Sequence, residues 1–242
     1  MSPAAEFAIA FDVATLAEAL ALDAALGAGP EWAKLGLELF AAEGPEVVRA
    51  FKARGRRVFL DLKLHDIPNT VHGAARSAAR HGADLLTVHA TGGAEMIRAA
   101  ADGVRAAGTG TRIVAVTVLT SLDPAAMPPG FARPFALQEQ AAALARMALD
   151  AGASGIVCAA PDLPALRAEL GAEFFAVTPG IRMAGDPSHD QKRVTTVAGA
   201  TRAGASLLVL GRAVTAAADP RAALEAARAE RQQALDPATR PA

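Results

Sequence analysis

Asp61, Lys63 and Asp66 lie within one six-residue run, Asp61-Leu62-Lys63-Leu64-His65-Asp66. The preceding Val58, Phe59 and Leu60 make this segment read as a strand. Its two-residue alternation places Asp61 and Lys63 on one face and Leu60, Leu62 and Leu64 on the other. If the leucines pack against helices, the two charges point to the enclosed side of the sheet. A lone charge there would be strongly destabilising, so opposite signs are the minimum condition for burying either one. An ammonium flanked by carboxylates is a proton source, and a cation beside a reacting atom stabilises negative charge as it develops. A purely structural ion pair is the alternative. The position at the C-terminal end of a strand, with Asp66 three residues on, favours chemistry.

Two other strand ends carry charge. Asp12 closes the first apolar segment in phase with Ala8 and Ala10, and Lys34 in Trp32-Ala33-Lys34-Leu35-Gly36 is in phase with Gly36. A single charge at such a place usually meets solvent. Joined to Asp61, Lys63 and Asp66, these two supply alternating charge to one mouth, and convergent charges mark functional sites. An anion site is suggested by Gly211-Arg212 after the last apolar segment, where glycine exposes its N–H and arginine adds a fork of donors. Arg182 in Thr178-Pro179-Gly180-Ile181-Arg182 could close over it. His65 and His89 also fall near strand ends, but no His-x-x-x-His or comparable spacing accompanies them and Lys63 already supplies positive charge. No metal is expected, and His65 reads as a supporting or helix-facing residue.

The elements that must position these residues alternate along the chain. Apolar segments at 7–12, 33–36, 58–62, 85–89, 113–119, 155–158, 174–178 and 207–210 are separated by stretches of helical spacing at 15–26, 45–54, 70–81, 94–107, 137–151, 163–170 and 194–203, with a last helix at 220–235. Gly55, Gly82, Gly152 and Gly204 stand where helices should stop, and Asp219-Pro220 reads as an N-cap followed by a first-turn proline. Eight βα units in 242 residues is the arithmetic of a single TIM (β/α)8 barrel domain spanning 1–242, with the residues from about 235 fraying. A doubly wound open sheet would need a Gly-rich dinucleotide fingerprint after the first strand, and none is there. The irregular stretches 120–136 and 178–193 both follow strands, which in a barrel puts them on the substrate-binding face.

Composition narrows the partners. Hydrophobic residues make up 52% of the chain, enough for one substantial core, and 24 Lys and Arg nearly balance 25 Asp and Glu. With no net basic field, neither nucleic acid nor an anionic membrane is an expected partner, and any anion must be bound locally. The N-terminal residues contain no basic segment followed by an apolar stretch, and no apolar run reaches membrane-spanning length, so a cytoplasmic protein is expected. The lone Cys158, within Gly155-Ile156-Val157-Cys158-Ala159, reads as a buried thiol.

The stretch Asp61-Leu-Lys-Leu-His-Asp-Ile-Pro-Asn-Thr70 resembles the signature of the orotidine 5′-monophosphate decarboxylase family, in its bacterial form. Further matching stretches follow in order: Phe11-Asp12, Lys34-Leu-Gly-Leu-Glu38, Val116-Thr-Val-Leu-Thr-Ser121, Thr178-Pro-Gly-Ile-Arg182, Asp190-Gln191-Lys-Arg193 and Gly211-Arg212. The resemblance implies that Lys63 donates a proton to C6 of the pyrimidine, inside a charge network of Lys34, Asp61 and Asp66. It implies ribose contacts from Asp12 and Lys34, and places Thr120 and Ser121 near the base. Phosphate contacts would come from Arg182, Gln191, Gly211 and Arg212, with 178–193 as a lid. No cofactor is implied. A homodimer is implied, in which Asp66, with Thr70 close by, reaches the neighbouring active site. Ala213 departs from the pattern, since proline would be expected after Gly211-Arg212; no donor is lost. Related barrels acting on sugar phosphates share the Asp-x-Lys-x-x-Asp run but require Mg²⁺, and the Pro-Asn-Thr extension, Thr178-Pro-Gly and Gln191 argue against them. A phosphate-binding barrel without catalysis would be expected to have lost a charge from the network, and all are present.

Overall fold

β-Branched and leucine-rich segments flanked by alanine-rich helices call for a parallel sheet with both faces buried, and here the sheet closes on itself inside a ring of helices. The computed structural model describes residues 4–27, 30–120, 137–183 and 194–236. Its barrel strands are β1 (Glu6–Phe11), β2 (Trp32–Leu35), β3 (Arg57–Leu64), β4 (Leu85–His89), β5 (Arg112–Val116), β6 (Gly155–Val157), β7 (Phe175–Thr178) and, after two short strands, β10 (Leu207–Leu210). They close in the order β1-β10-β7-β6-β5-β4-β3-β2, all parallel. This is a TIM barrel, as the alternation predicts.

Alternate residues fall into separate cores. In β1, Phe7, Ile9 and Phe11 join the large cluster between strands and helices. Ala8 and Ala10 join a smaller one with Trp32, Phe59, Leu85, Val114, Val177, Leu207 and Val209, which fills the barrel. Its N-terminal end is closed by polar groups: the Glu6 carboxylate accepts from Trp32 Nε1 and Arg57, and the Arg112 guanidinium lies 4.2 Å over the Phe175 ring. The C-terminal end is left to the charged residues.

The helices are α1 (Leu16–Leu26), α2 (Leu37–Glu43), α3 (Glu46–Ala53), α4 (Pro68–Arg80), α5 (Gly93–Ala107), α6 (Leu137–Asp150), α7 (Leu163–Leu170), α8 (Val197–Arg202), α9 (Arg212–Thr215) and α10 (Pro220–Leu235). Local chemistry sets several ends. Thr15 and Glu18 form a reciprocal capping box on α1, and the Asp219 carboxylate accepts from Ala222 N at the start of α10, with Pro220 in its first turn. The four glycines expected to stop helices all have positive φ, between 75° and 99°.

The differences from expectation have identifiable causes. α2 is absent from the sequence reading because Gly36 and Gly44 bracket it like loop punctuation and its Leu37 is 59% exposed, which breaks the amphipathic pattern. α8 begins at Val197 rather than 194, because Thr195–Thr196 (β9) pairs in parallel with Ile181–Arg182 (β8). Thr196 then caps the helix by accepting from Gly199 N. α4 starts at Pro68, two residues before the expected boundary, since proline is pre-set for a first turn. α10 continues through Leu235 with Ala234 buried, and the tail at 237–242 lies outside the described residues.

Candidate active site

β3 carries the central pair, and it is not a regular strand at that point. Leu60 is in register with Leu86 and Leu64 with Val88, so three residues of β3, 61–63, stand opposite the single Thr87 of β4. Lys63 sits within this irregularity at φ +49°, the one non-glycine residue with positive φ among the described residues. Plain alternation therefore needs correcting here. Leu60, Leu62 and Leu64 do pack towards the helices, but the Asp61–Lys63 segment bulges inward around Thr87 of β4. Lys63 N donates to Thr87 Oγ1 at 2.8 Å, and that hydroxyl donates to Asp61 Oδ1 at 2.9 Å.

The charges of three neighbouring strands form a continuous chain. Lys63 Nζ donates to Asp61 Oδ2 at 2.8 Å; Lys34 Nζ lies 3.6 Å from the same oxygen and donates to Asp12 Oδ1 at 2.9 Å. Two carboxylates and two ammonium groups thus alternate from β1 through β2 to β3. Lys34 and Asp61 are each only 8% exposed, while the Lys63 side chain retains 31%. Burial alone would raise the Asp61 pKa. Lys34 and Lys63, helped by hydrogen bonds from Lys63 and Thr87, outweigh burial and hold this carboxyl below its ordinary range. Gly36 makes the arrangement possible, since a Cβ there would stand 2.8 Å from Asp12 Oδ1 and 3.3 Å from Lys34 Nζ.

These four residues line a cavity of about 340 Å³ at the C-terminal mouth, together with Thr120, Arg182, Gly211 and Arg212. The volume suits a small-molecule ligand. In the closed strand order β7 lies diametrically across the ring from β3, so the segment after β7 that carries Arg182 enters the mouth from the side opposite Lys63. The β8–β9 ladder fixes Arg182, whose guanidinium is buried and donates to Ile181 O at 2.9 Å. A Cβ at Gly211 would meet no atom within 4 Å, so its backbone opens on the cavity.

Other expected site residues lie elsewhere. Asp66 and Thr70 are exposed and do not line this cavity; the Asp66 carboxylate accepts from Ile67 N at 2.6 Å. Ser121 and Gln191 lie outside the described residues, as does the greater part of both irregular stretches. His65 is exposed, with its ring 5.5 Å from that of His89. Burial, then the nearby His65 and Lys63, lower the His89 pKa. Cys158 is a buried thiol at the cavity wall, as its apolar surroundings in the sequence predict. Thr87 is the residue that the sequence reading missed. Its signal was present: a hydroxyl in phase with the inward Leu85, between the apolar Leu86 and Val88.

Charged side chains from several strands converging at the C-terminal face of a closed parallel barrel define a TIM-barrel enzyme. Residues 5–227 match the family model described as Orotidine 5'-phosphate decarboxylase / HUMPS family. The chain belongs to this family. It is 53% identical over 227 residues to the orotidine 5'-phosphate decarboxylase of Anaeromyxobacter sp. (strain K), covering 93% of this chain and 98% of that protein. It is 48% identical over 227 residues to the protein of the same name from Moorella thermoacetica, covering 92% and 90%. The crystal structure of orotidine 5'-phosphate decarboxylase from Lactobacillus acidophilus superposes with a TM-score of 0.82 at 35% identity, covering 94% of this chain and 99% of that one. That of an uncharacterized conserved protein from Geobacillus kaustophilus gives 0.80 at 36% identity, covering 93% and 99%.

Proposed function

We propose that this chain converts orotidine 5′-monophosphate to UMP and CO₂, the last step of de novo pyrimidine nucleotide synthesis, with Lys63 protonating C6. The observation that carries this reading is the chain Asp12–Lys34–Asp61–Lys63, which holds an ammonium group at the wall of a nucleotide-sized cavity. Membership of the family and the names of its relatives support the reaction.

Loss of CO₂ leaves the C6–carboxylate electron pair on a vinylic carbon that has no conjugated sink. The catalyst must stabilise that carbanion or protonate it as it forms. An ammonium at ~4 Å in an effective dielectric of ~20 is worth ~4 kcal/mol, whereas enzymes generally lower barriers by about 8–23 kcal/mol. Lys63 Nζ then gives its proton to C6 and is reprotonated from solvent. The remaining stabilisation comes from binding energy at the far end of the substrate, used to desolvate and fix the pyrimidine. Arg182, Gly211 and Arg212, with Gln191 from the 178–193 lid, hold the phosphate. Asp12 and Lys34 bind the ribose, and Thr120 and Ser121 lie near the base. Asp61 orients the Lys63 ammonium through their 2.8 Å contact and repels the substrate carboxylate. No cofactor takes part, because Lys63 supplies both charge and proton.

The working unit is a homodimer with shared sites, in which Asp66 and Thr70 serve the neighbouring cavity. The exposure of both residues, with the neighbouring Ile67 at 67%, supports a second copy covering this face. We place its activity in the cytoplasm. No helix among the described residues is long and apolar enough to cross a membrane. The test is spectrophotometric. The purified chain should consume orotidine 5′-monophosphate at an undiminished rate in EDTA, and Lys63→Ala should retain less than about one per cent of kcat while still binding UMP. No consumption of orotidine 5′-monophosphate, with EDTA-sensitive turnover of a sugar phosphate, would point instead to a metal-dependent sugar-phosphate enzyme, and a Lys63→Ala variant above a few per cent would remove Lys63 as proton donor.

A further inference from the structure

Thr87 is the hydroxyl residue in Leu85-Leu86-Thr87-Val88-His89, and it is fully buried. A hydroxyl withdrawn from water is costly unless its hydrogen-bonding capacity is used. Here both functions are committed, and chemistry fixes their direction. The Lys63 N–H can only donate, so Thr87 Oγ1 accepts from it; an ionised carboxylate can only accept, so the Thr87 proton goes to Asp61 Oδ1.

The two bonds meet an unusual demand of the backbone. A residue other than glycine at positive φ is strained and persists only where its surroundings over-determine it. Lys63 is such a residue, and it lies where the β3–β4 register slips, between the Leu60–Leu86 and Leu64–Val88 pairs. The Thr87 hydroxyl accepts the Lys63 N–H at that break, from inside the barrel. The same oxygen is tied to Asp61, whose other carboxylate oxygen receives Lys63 Nζ. Backbone and side chain of Lys63 are therefore held by one closed ring of contacts: Lys63 N to Thr87, Thr87 to Asp61, Asp61 to Lys63 Nζ.

We propose that Thr87 is a positioning residue for the decarboxylation, locking Lys63 in its left-handed backbone conformation and orienting Asp61, so that the ammonium is aimed before substrate arrives. This inference rests on Lys63 as the proton donor.

Valine at position 87 keeps the shape and removes the hydroxyl; serine keeps the hydroxyl and loses a methyl. Thr87→Val is expected to lower kcat about ten- to hundredfold, the range for losing hydrogen bonds to a charged group, with UMP affinity within about twofold of wild type. Thr87→Ser should recover most of kcat. A packing role gives the reverse order, because valine fills the space better than serine. The acid limb of the kcat profile gives an independent readout. Burial raises the Asp61 pKa and the Thr87 bond is among the contacts that lower it, so the limb should move to higher pH in Thr87→Val and return in Thr87→Ser. If the valine variant does not fold, Thr87→Cys, a weak donor and acceptor, should give a kcat at least about tenfold below that of Thr87→Ser. Wild-type kcat in Thr87→Val or Thr87→Cys, or a serine variant no better than valine, overturns the proposal. Lys63→Ala in the same assay separates the two readings. If it stays active, the proton-donor assignment fails; if it is inactive while Thr87→Val matches wild type, only the role of Thr87 fails.

Discussion

Replacing Asp61 by asparagine keeps the shape of the side chain and removes the one negative charge that lies between two ammonium groups. Lys63 Nζ is 2.8 Å and Lys34 Nζ 3.6 Å from the carboxylate oxygen, so at an effective dielectric near 20 the attractions are ~6 and ~5 kcal/mol before any offset. Two offsets reduce the net effect. Asparagine escapes the desolvation cost of a carboxylate that is only 8% exposed, and the stranded lysines retain other partners: Lys34 keeps Asp12 at 2.9 Å, and Lys63 keeps solvent at 31% exposure. A net loss of ~2 kcal/mol in stability is expected at neutral pH. With a urea m-value of ~2–3 kcal/mol/M, the unfolding midpoint of Asp61→Asn should fall by about 0.7–1 M. The pH dependence follows from the sign of the shift. The folded Asp61 pKa is depressed below its ordinary 3.8, so its contribution is complete above that value and is lost as pH falls through the lower folded one. The gap between wild type and Asp61→Asn should therefore be constant above about pH 5 and close in acid. Turnover of orotidine 5′-monophosphate should fall by at least about a hundredfold at every pH, because Lys63 loses its anchor. An unchanged urea midpoint, or a gap that widens in acid, would refute the electrostatic account of this site.

Arg212→Ala should weaken UMP binding and also lower kcat; an effect on KM alone would show that phosphate binding energy is not used at the reacting carbon. Gly36→Ala puts a methyl within 2.8 Å of Asp12 Oδ1, and because Asp12 can swing towards solvent the fold should survive. Its kcat/KM should still fall about ten- to hundredfold as the Asp12–Lys34 pair is displaced, and a melting temperature that falls in parallel would mean that the glycine serves folding instead. Sedimentation should show a dimer. Mixing inactive Lys63→Ala with inactive Asp66→Asn should restore activity, because one heterodimer site then holds both native residues; no recovery after subunit exchange would place Asp66 outside the neighbouring site.

Much of the site was legible because its residues sit at periodic positions. The apolar runs gave all eight barrel strands to within a few residues at each end, and two-residue alternation pointed Asp12, Lys34 and Asp61 to the same side of adjacent strands, where the cavity lies. The helix stops at Gly55, Gly82, Gly152 and Gly204 and the cap at Asp219 were equally readable, since each is a local backbone requirement that one residue type meets. α2 was not, because its flanking glycines and exposed Leu37 imitate a loop. The β8–β9 ladder that seats Arg182 joins segments 14 residues apart through two residues each, too short to leave a period.

The run Asp61-Leu-Lys63-Leu-His-Asp66 by itself determined that a carboxylate and an ammonium would stand together at the end of one strand. It did not determine how Lys63 is held. That depends on the slip of β3 against β4, which turns Lys63 to positive φ and brings the Thr87 hydroxyl between its N–H and Asp61. Alternation is a property of one strand and can be counted along it. A register slip belongs to two strands at once, and only the closed barrel brings Thr87, 24 residues away, to the place where it satisfies both groups.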